Sequence, residues 1–220
     1  MSADYTAQEP ENRCCHCQRP LFVSELGRYA CGLCESRAST HLRALPDLYA
    51  DLGHALHPGA GPQRQRLSGG GKTAPLPLVL QPLHLRSGGG ITTALQAVED
   101  SWRTAAGRTI ATFAGNFEQT LDATVSYLRI NLQWACWEYE DVADDLDTIS
   151  SLYWQARNAL DGIIPRKVTV FCRATTDTGE CLAELRVDAN RLSAKCTSCG
   201  TRWGRHKWLD LYLSEQATAA

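Results

Sequence analysis

Apolar side chains recur at three- and four-residue steps over four stretches of the chain, the spacing that gathers them on one face of an α-helix. After Glu35 the face is Leu42, Leu45, Tyr49, Leu52 and Leu56. Pro46 falls inside it. Proline lacks the N–H that the helical ladder uses, so the pattern predicts a kink there or a restart with proline in the first turn. "HPGAGPQ", residues 57–63, ends the stretch. The second face is Leu95, Val98, Trp102, Ala106, Ile110 and Phe113, behind Thr93 and Gln96 at capping-box spacing. Asn116, a good N-cap, opens the third: Phe117, Leu121, Val125, Leu128, Leu132 and Ala135. The fourth is Val142, Leu146, Ile149, Tyr153, Ala156 and Leu160, stopped by Gly162 and Pro165. The last three faces, joined by short links, predict an antiparallel bundle.

The pattern breaks in two places. Between residues 59 and 90, two triple-glycine runs bracket "KTAPLPLVLQPLHLRS", which reads as linker with an extended apolar piece at 74–86. "SGGGKT" lacks the glycine that a phosphate loop needs five places before Gly71; Arg66 stands there. After Arg166 the period shortens to two. "KVTVFC", "CLAELRV" and "RLSAKC" predict strands, with turns at Asp177–Gly179 and Asp188–Asn190. The chain divides accordingly: 1–58, a cysteine-rich start plus helix; 59–90, linker; 91–164, bundle; 165–210, a strand-rich cysteine module; 211–220, a tail.

Composition sharpens this. The 220 residues carry 22 basic and 24 acidic side chains, a net charge of -2, so the whole chain is no polybasic nucleic-acid binder. No apolar run approaches the roughly 18 residues of a membrane span. "MSADYTAQEPEN" lacks the basic-then-apolar order of a secretory signal, and a cytoplasmic protein with no membrane partner is expected. Ten cysteines in a reducing compartment point to metal rather than disulfides.

Their spacing is specific. Cys14-x2-Cys17 and Cys31-x2-Cys34 each curl the chain so that two sulfurs face one point, and together they complete a tetrahedron for zinc. In this register Cys15 and His16 point elsewhere, His16 as a solvated neighbour; the rival register uses Cys15 with Cys17. Cys34 would open the Glu35–Leu45 helix, where the helix dipole favours a thiolate, as in treble-clef modules. The second set is Cys172, Cys181, Cys196 and Cys199, with Cys172 and Cys181 closing a hairpin whose tip is Thr175–Glu180. It reads as a β zinc ribbon; the rival puts His206 in place of one cysteine. Two zinc ions are the expected cofactors. A closed four-sulfur site has no open position for substrate, so no enzyme and no small-molecule substrate is expected. Cys136, amid a helix with no charged activator, reads as a buried thiol.

The other candidates are weaker. Asp51, His54 and His57 share a helix face but sit at its end beside Pro58, where histidines commonly serve the dipole. Glu138, Glu140, Asp141, Asp144, Asp145 and Asp147 crowd a helix start, and read as a solvated acidic face. Residues 166–208, by contrast, hold nine basic against four acidic side chains, net +5. In "TRWGRHKW", Arg202, Arg205 and Lys207 can grip phosphates and Trp203 and Trp208 can stack on bases. Equally, Trp203 can close the ribbon's core with the charges merely solvated.

The knuckles followed by "SRASTHLRALPDLYADLGHAL", then Leu76-Pro77, "SYLRINLQWA", "ISSLYWQARNALDG" and the Cys172–Cys199 module, resemble uncharacterised zinc-binding proteins of actinobacterial phages and prophages. That resemblance implies a C-terminal helix-turn-helix and DNA binding. After Trp208 only "LDLYLSEQATAA" follows, too short for such a domain. The sequence thus predicts a mainly α protein with an N-terminal treble-clef or zinc-knuckle module, a central antiparallel bundle and a C-terminal β zinc ribbon. Its expected role is regulatory, touching nucleic acid (DNA) through Arg202, Arg205 and Lys207. The alternative is an adaptor between host or phage proteins, with the acidic helix or residues 74–86 as its contact.

Overall fold

In a computed structural model the described residues are 12–56, 80–163, 167–177, 179–188 and 191–218; the glycine-rich "SGGGKT" and His57 lie outside them. The body is built from α1 (Gly32–His54), α2 (Leu80–Arg86), α3 (Ile91–Ala105), α4 (Phe117–Glu138) and α5 (Val142–Asp161). The C-terminal module holds β1 (Lys167–Phe171), β2 (Thr175–Thr176), β3 (Gly179–Glu180), β4 (Glu184–Asp188), β5 (Ser193–Lys195), β6 (Arg202–Gly204) and α6 (Arg205–Thr218). No helix among the described residues is long and apolar enough to cross a membrane.

The expected helical faces form the core. Leu42, Leu45 and Leu52 of α1, Leu95 and Trp102 of α3, Leu121 and Leu128 of α4, and Val142 and Ile149 of α5 are all essentially buried. α1 packs chiefly on α5 and also on α4, and α3 packs on α4. The first helix is therefore a full member of the bundle. Cys14, Cys31 and Cys34 belong to the same buried cluster as these leucines, so the first cysteine set and the bundle share one core. Pro46 neither stops nor restarts α1, which runs on to His54.

Helix ends follow backbone chemistry more closely than apolar period. Asn116 caps α4 as expected, its side chain accepting the Gln119 N–H at 2.8 Å. Gly162, at φ 65°, ends α5 in the left-handed conformation that glycine takes without strain. α3 stops at Ala105, short of the expected Ile110 and Phe113. Gly107 at φ 65° lets the Arg108 N–H reach back to the Arg103 carbonyl at 2.7 Å, closing the helix, and Ile110 and Phe113 are left exposed. The expected capping box at Thr93 is absent: the N-cap of α3 is Gly90, three residues earlier, and the Thr93 hydroxyl accepts the Gly89 N–H. The apolar piece expected as extended forms α2 from Leu80 onward. The Tyr49 hydroxyl donates to the Arg86 carbonyl at 3.2 Å, and the Arg86 guanidinium lies 4.1 Å over the Tyr49 ring, fastening α2 to α1.

In the C-terminal module β1 and β4 pair antiparallel with Val168 opposite Val187 and Val170 opposite Leu185. β2 pairs β3 at the expected hairpin tip, and β5 pairs β6. Val170, Leu185, Val187 and Trp208 form a small separate core with Cys172 and Cys196. α6 runs to Thr218 where a tail was expected, and packs on β1.

Trp102 is fully buried and donates its indole N–H to Asp145 Oδ2 at 2.7 Å. Burial, with Asp144 and Asp141 nearby, pushes the Asp145 carboxyl up from 3.8 to about 6 despite that hydrogen bond. The native state therefore binds a proton more tightly than the unfolded chain does. This group's contribution to stability falls as pH rises from about 4 to 6. At about 1.4 kcal/mol per pH unit, the cost at neutral pH is roughly 3 kcal/mol. Asp145→Asn keeps an acceptor for Trp102 and removes the charge. It should raise unfolding stability at pH 7.5 by up to that amount, with the gain shrinking towards pH 5, as read by denaturant unfolding at each pH.

Candidate metal centres

Cys14 and Cys17 sit on a tight knuckle. The Gln18 N–H bonds the Cys14 carbonyl at 2.9 Å with Gln18 at φ 61°, and an antiparallel bridge from Arg13 to Pro20 closes its base. Cys31 is the N-cap of α1 and Cys34 lies in its first turn. The intervening loop is pinned from two sides. The Glu25 carboxylate accepts the Gly32 N–H at 2.7 Å and the Phe22 N–H at 3.1 Å. The Cys136 carbonyl, near the end of α4, accepts the N–H groups of Tyr29 and Ala30 at 2.9 and 3.1 Å. The four Sγ atoms then lie within 4.8 Å of one another. Cys14 to Cys34 is 3.8 Å and Cys17 to Cys31 is 3.7 Å.

Those lengths test the fit to a metal. A disulfide needs about 2.05 Å, so these are free thiols. A tetrahedron with Zn–S bonds of about 2.3 Å has edges of about 3.8 Å. The cage matches it. Backbone N–H groups of Cys31 and Cys17 point at Cys14 Sγ from 3.3 and 3.5 Å. Hydrogen bonding, led by the Cys17 thiol, draws the Cys14 thiol down to about 6. The Cys14/Cys17 register is therefore the one the fold uses. Cys15 stays outside the cage, and burial pushes its thiol up to about 12.

The second cage gathers Cys172, Cys181, Cys196 and Cys199, again within 4.8 Å of one another. Cys172 exchanges hydrogen bonds with Ala183 and Leu182 at 2.9 Å, and the Cys181 N–H bonds the Ala174 carbonyl at 2.9 Å, which explains the long gap between the two cysteines: they close a hairpin. Cys196 and Cys199 form a knuckle like the first, with Gly200 at φ 75° where Gln18 stands in the other. Cys172 to Cys199 is 3.7 Å and Cys181 to Cys196 is 3.8 Å, the same tetrahedral edge. The Thr201 hydroxyl lies 3.3 Å from Cys199 Sγ, and its hydrogen bond draws that thiol down to about 6. His206, the rival ligand, is exposed at the start of α6 and outside the cage.

Between the cages runs a seam of charge. His16, expected as a solvated neighbour, is 4% exposed. Its Nδ1 lies 3.2 Å from Cys34 Sγ and its Nε2 3.2 Å from Asp147 Oδ1. The ring thus bridges a cage sulfur and a carboxylate on α5, one through each nitrogen. Burial opposes the charge on Asp147, but His16 and Arg202 outweigh it and hold the carboxyl below the usual range. Arg202, its side chain 9% exposed, pairs with both Asp147 and Asp144, and donates to the Ser193 hydroxyl at 2.9 Å. Lys195 reaches Asp144 at 2.6 Å, and Arg191 donates to the Ser151 hydroxyl at 2.6 Å. The start of α5, read from the sequence as solvated, is thus the dock for the basic module.

This sorts the predicted phosphate-gripping residues. Arg202 is committed to α5, whereas Arg205 and Lys207 are exposed. Trp208 is 1% exposed in the module's core and offers no free stacking face, whereas Trp203 is half-buried against that core and donates its indole N–H to Cys172 Sγ at 3.4 Å. A polar cleft of about 740 Å³ remains between α5 and the module, with Lys167, Arg186, Arg191 and Lys195 on its walls. Asp51 and His54 are exposed and belong to no ligand group among the described residues. Cys136 is a buried thiol that burial raises to about 12. His41, stacked 4.2 Å from Tyr153, is lowered to about 4 by burial and stays neutral.

Sequence spacing located both cages and missed the seam. His16 and Asp147 are 131 positions apart, beyond any local motif. The available signal was the pairing of opposite charge between residues 138–147 and 166–208. Comparison with known proteins finds no matching family model, no matching curated protein and no matching solved structure.

β6 closes the seam by backbone contact. A Cβ on Gly204 would stand 2.5 Å from the Cys17 carbonyl oxygen and 3.2 Å from the Gln18 side chain. Gly204→Ala should therefore push the C-terminal module off the first knuckle. The expected cost is about 1–3 kcal/mol of unfolding stability in metal-loaded protein, with both metals retained.

Proposed function

We propose that this chain is a non-enzymatic structural-zinc protein that works as a protein-interaction adaptor. One zinc ion is held by Cys14, Cys17, Cys31 and Cys34 and another by Cys172, Cys181, Cys196 and Cys199. The closure of the two cages carries the reading: four sulfurs at tetrahedral edge lengths leave no coordination position for water or substrate. The ions' work is then to hold loops that have little core of their own. The adaptor role is supported by the apolar side chains that the first cage displays. Phe22, Val23, Leu26 and Leu33 are 62%, 88%, 43% and 50% exposed on the loop pinned by Glu25 and on the start of α1. A resemblance to phage zinc-binding proteins agrees with a cytoplasmic partner from host or phage.

A second reading, regulation by DNA contact, draws support from the exposed Arg205 and Lys207 and from Lys167 and Arg186 on the walls of the cleft. It loses Arg202, which is paired internally.

Elemental analysis of the purified chain should find two zinc ions per chain, falling to one in Cys17→Ser and in Cys196→Ser. An absence of bound metal would overturn the structural-zinc reading. Val23→Asp with Leu33→Asp should abolish binding of a captured protein partner while both metals remain. Salt-dependent retention on DNA, lost in Arg205→Ala/Lys207→Ala and kept in Val23→Asp/Leu33→Asp, would instead establish the second reading.

A further inference from the structure

We propose that His16 couples the two metal clusters: filling the N-terminal cage fixes this side chain, and through Asp147 it seats the C-terminal module on α5. The inference rests on the two-metal reading above. His16 occupies an inner position of the Cys14–Cys17 knuckle, so its backbone is set once both of those sulfurs share an ion. Its ring then has two fixed partners, Cys34 Sγ on one side and Asp147 Oδ1 on the other, each at 3.2 Å. Without the ion, the knuckle has no common centre and the ring loses its position between them.

The connection continues into the other module without a break. Asp147 accepts from His16, from Arg202 and from the Ser193 hydroxyl, so one carboxylate joins the knuckle to both β5 and β6. Arg202 and Lys195 face one another in the β5–β6 ladder. The next residue, Trp203, donates to Cys172 Sγ, a ligand of the second cage. One residue further, Gly204 presses on the Cys17 carbonyl. Three consecutive residues of β6 thus touch the body's acids, the far cage and the near knuckle. A carboxylate with a side chain 16% exposed tolerates the loss of a partner poorly, so releasing His16 weakens the whole seat. The contact is specific in geometry: an apolar ring of similar size would fill the space and donate nothing.

The test uses the full chain with both metals loaded, and compares His16→Phe, Asp147→Asn and the double variant. Amide hydrogen exchange is read separately at β5–β6 and at β1–β4, together with the rate at which a chelator removes metal from the C-terminal cage. Either single change is expected to speed exchange at β5–β6 at least tenfold and to hasten loss of the C-terminal metal, while β1–β4 keeps its protection. The double variant should add little to Asp147→Asn alone, because His16 reaches β5–β6 through that carboxylate. If His16→Phe empties the N-terminal cage, Cys17→Ser decides the matter: it should speed β5–β6 exchange in the wild-type background and add little in the Asp147→Asn background. Unchanged β5–β6 exchange with both metals in place, or strictly additive effects, would overturn the coupling. A wild-type chain that binds no metal would instead overturn the reading it rests on.

Discussion

Four sulfurs held within 4.8 Å of one another are a standing charge problem. As thiolates they repel; as thiols they lose the ion–ligand attraction that draws them together. A dication at the centre would resolve this, and the N-terminal architecture is arranged around that point. The Cys14–Cys17 knuckle, the loop to Cys31 and the first turn of α1 meet at that point. Neighbouring groups finish the arrangement. Glu25 supplies an acceptor to the Gly32 N–H at the start of α1, and the Cys136 carbonyl, near the end of α4, accepts from Tyr29 and Ala30. The cage and the bundle therefore stabilise each other through backbone hydrogen bonds as well as through packing.

The seam of charge follows a different logic. Ion pairs taken out of water contribute little net stability, because desolvation offsets most of their attraction. Their value lies in orientation. Asp144 and Asp147 accept Lys195, Arg191 and Arg202 in one arrangement, and any other docking of the module would leave a buried carboxylate or guanidinium alone. The β-module, with a core of only a few side chains, is placed by its charges and shape more than by apolar burial.

What could be read from the sequence was local. The cysteine pairs two residues apart declare themselves, and so do the apolar faces of α1, α4 and α5, because a knuckle and a helix face are both decided within a few residues. The end of α3 was misjudged because Ile110 and Phe113 keep helical period although Gly107 has already turned the chain. α2 was read as extended on the strength of its prolines, whereas Tyr49 and Arg86 hold it helical against α1. The role of His16 could not be read at all. Nothing near residue 16 announces a partner at residue 147. The positive charge of the last module reads as pointing outward to a polyanion, whereas three of its cations are answered by α5.

α1 carries one more implication. It is at once a ligand arm, through Cys34, and the central rod of the core, through Leu42, Leu45 and Leu52. Leucine-rich helices slide and rotate against one another with little penalty, since one leucine packs much like the next. A one-residue slip here would carry the Cys34 sulfur about 1.5 Å along the axis and swing it through about 100°. No tetrahedron would survive that. An ion held there would work as an index mark at the end of the rod, tying the register of α1 in the bundle to the position of one sulfur.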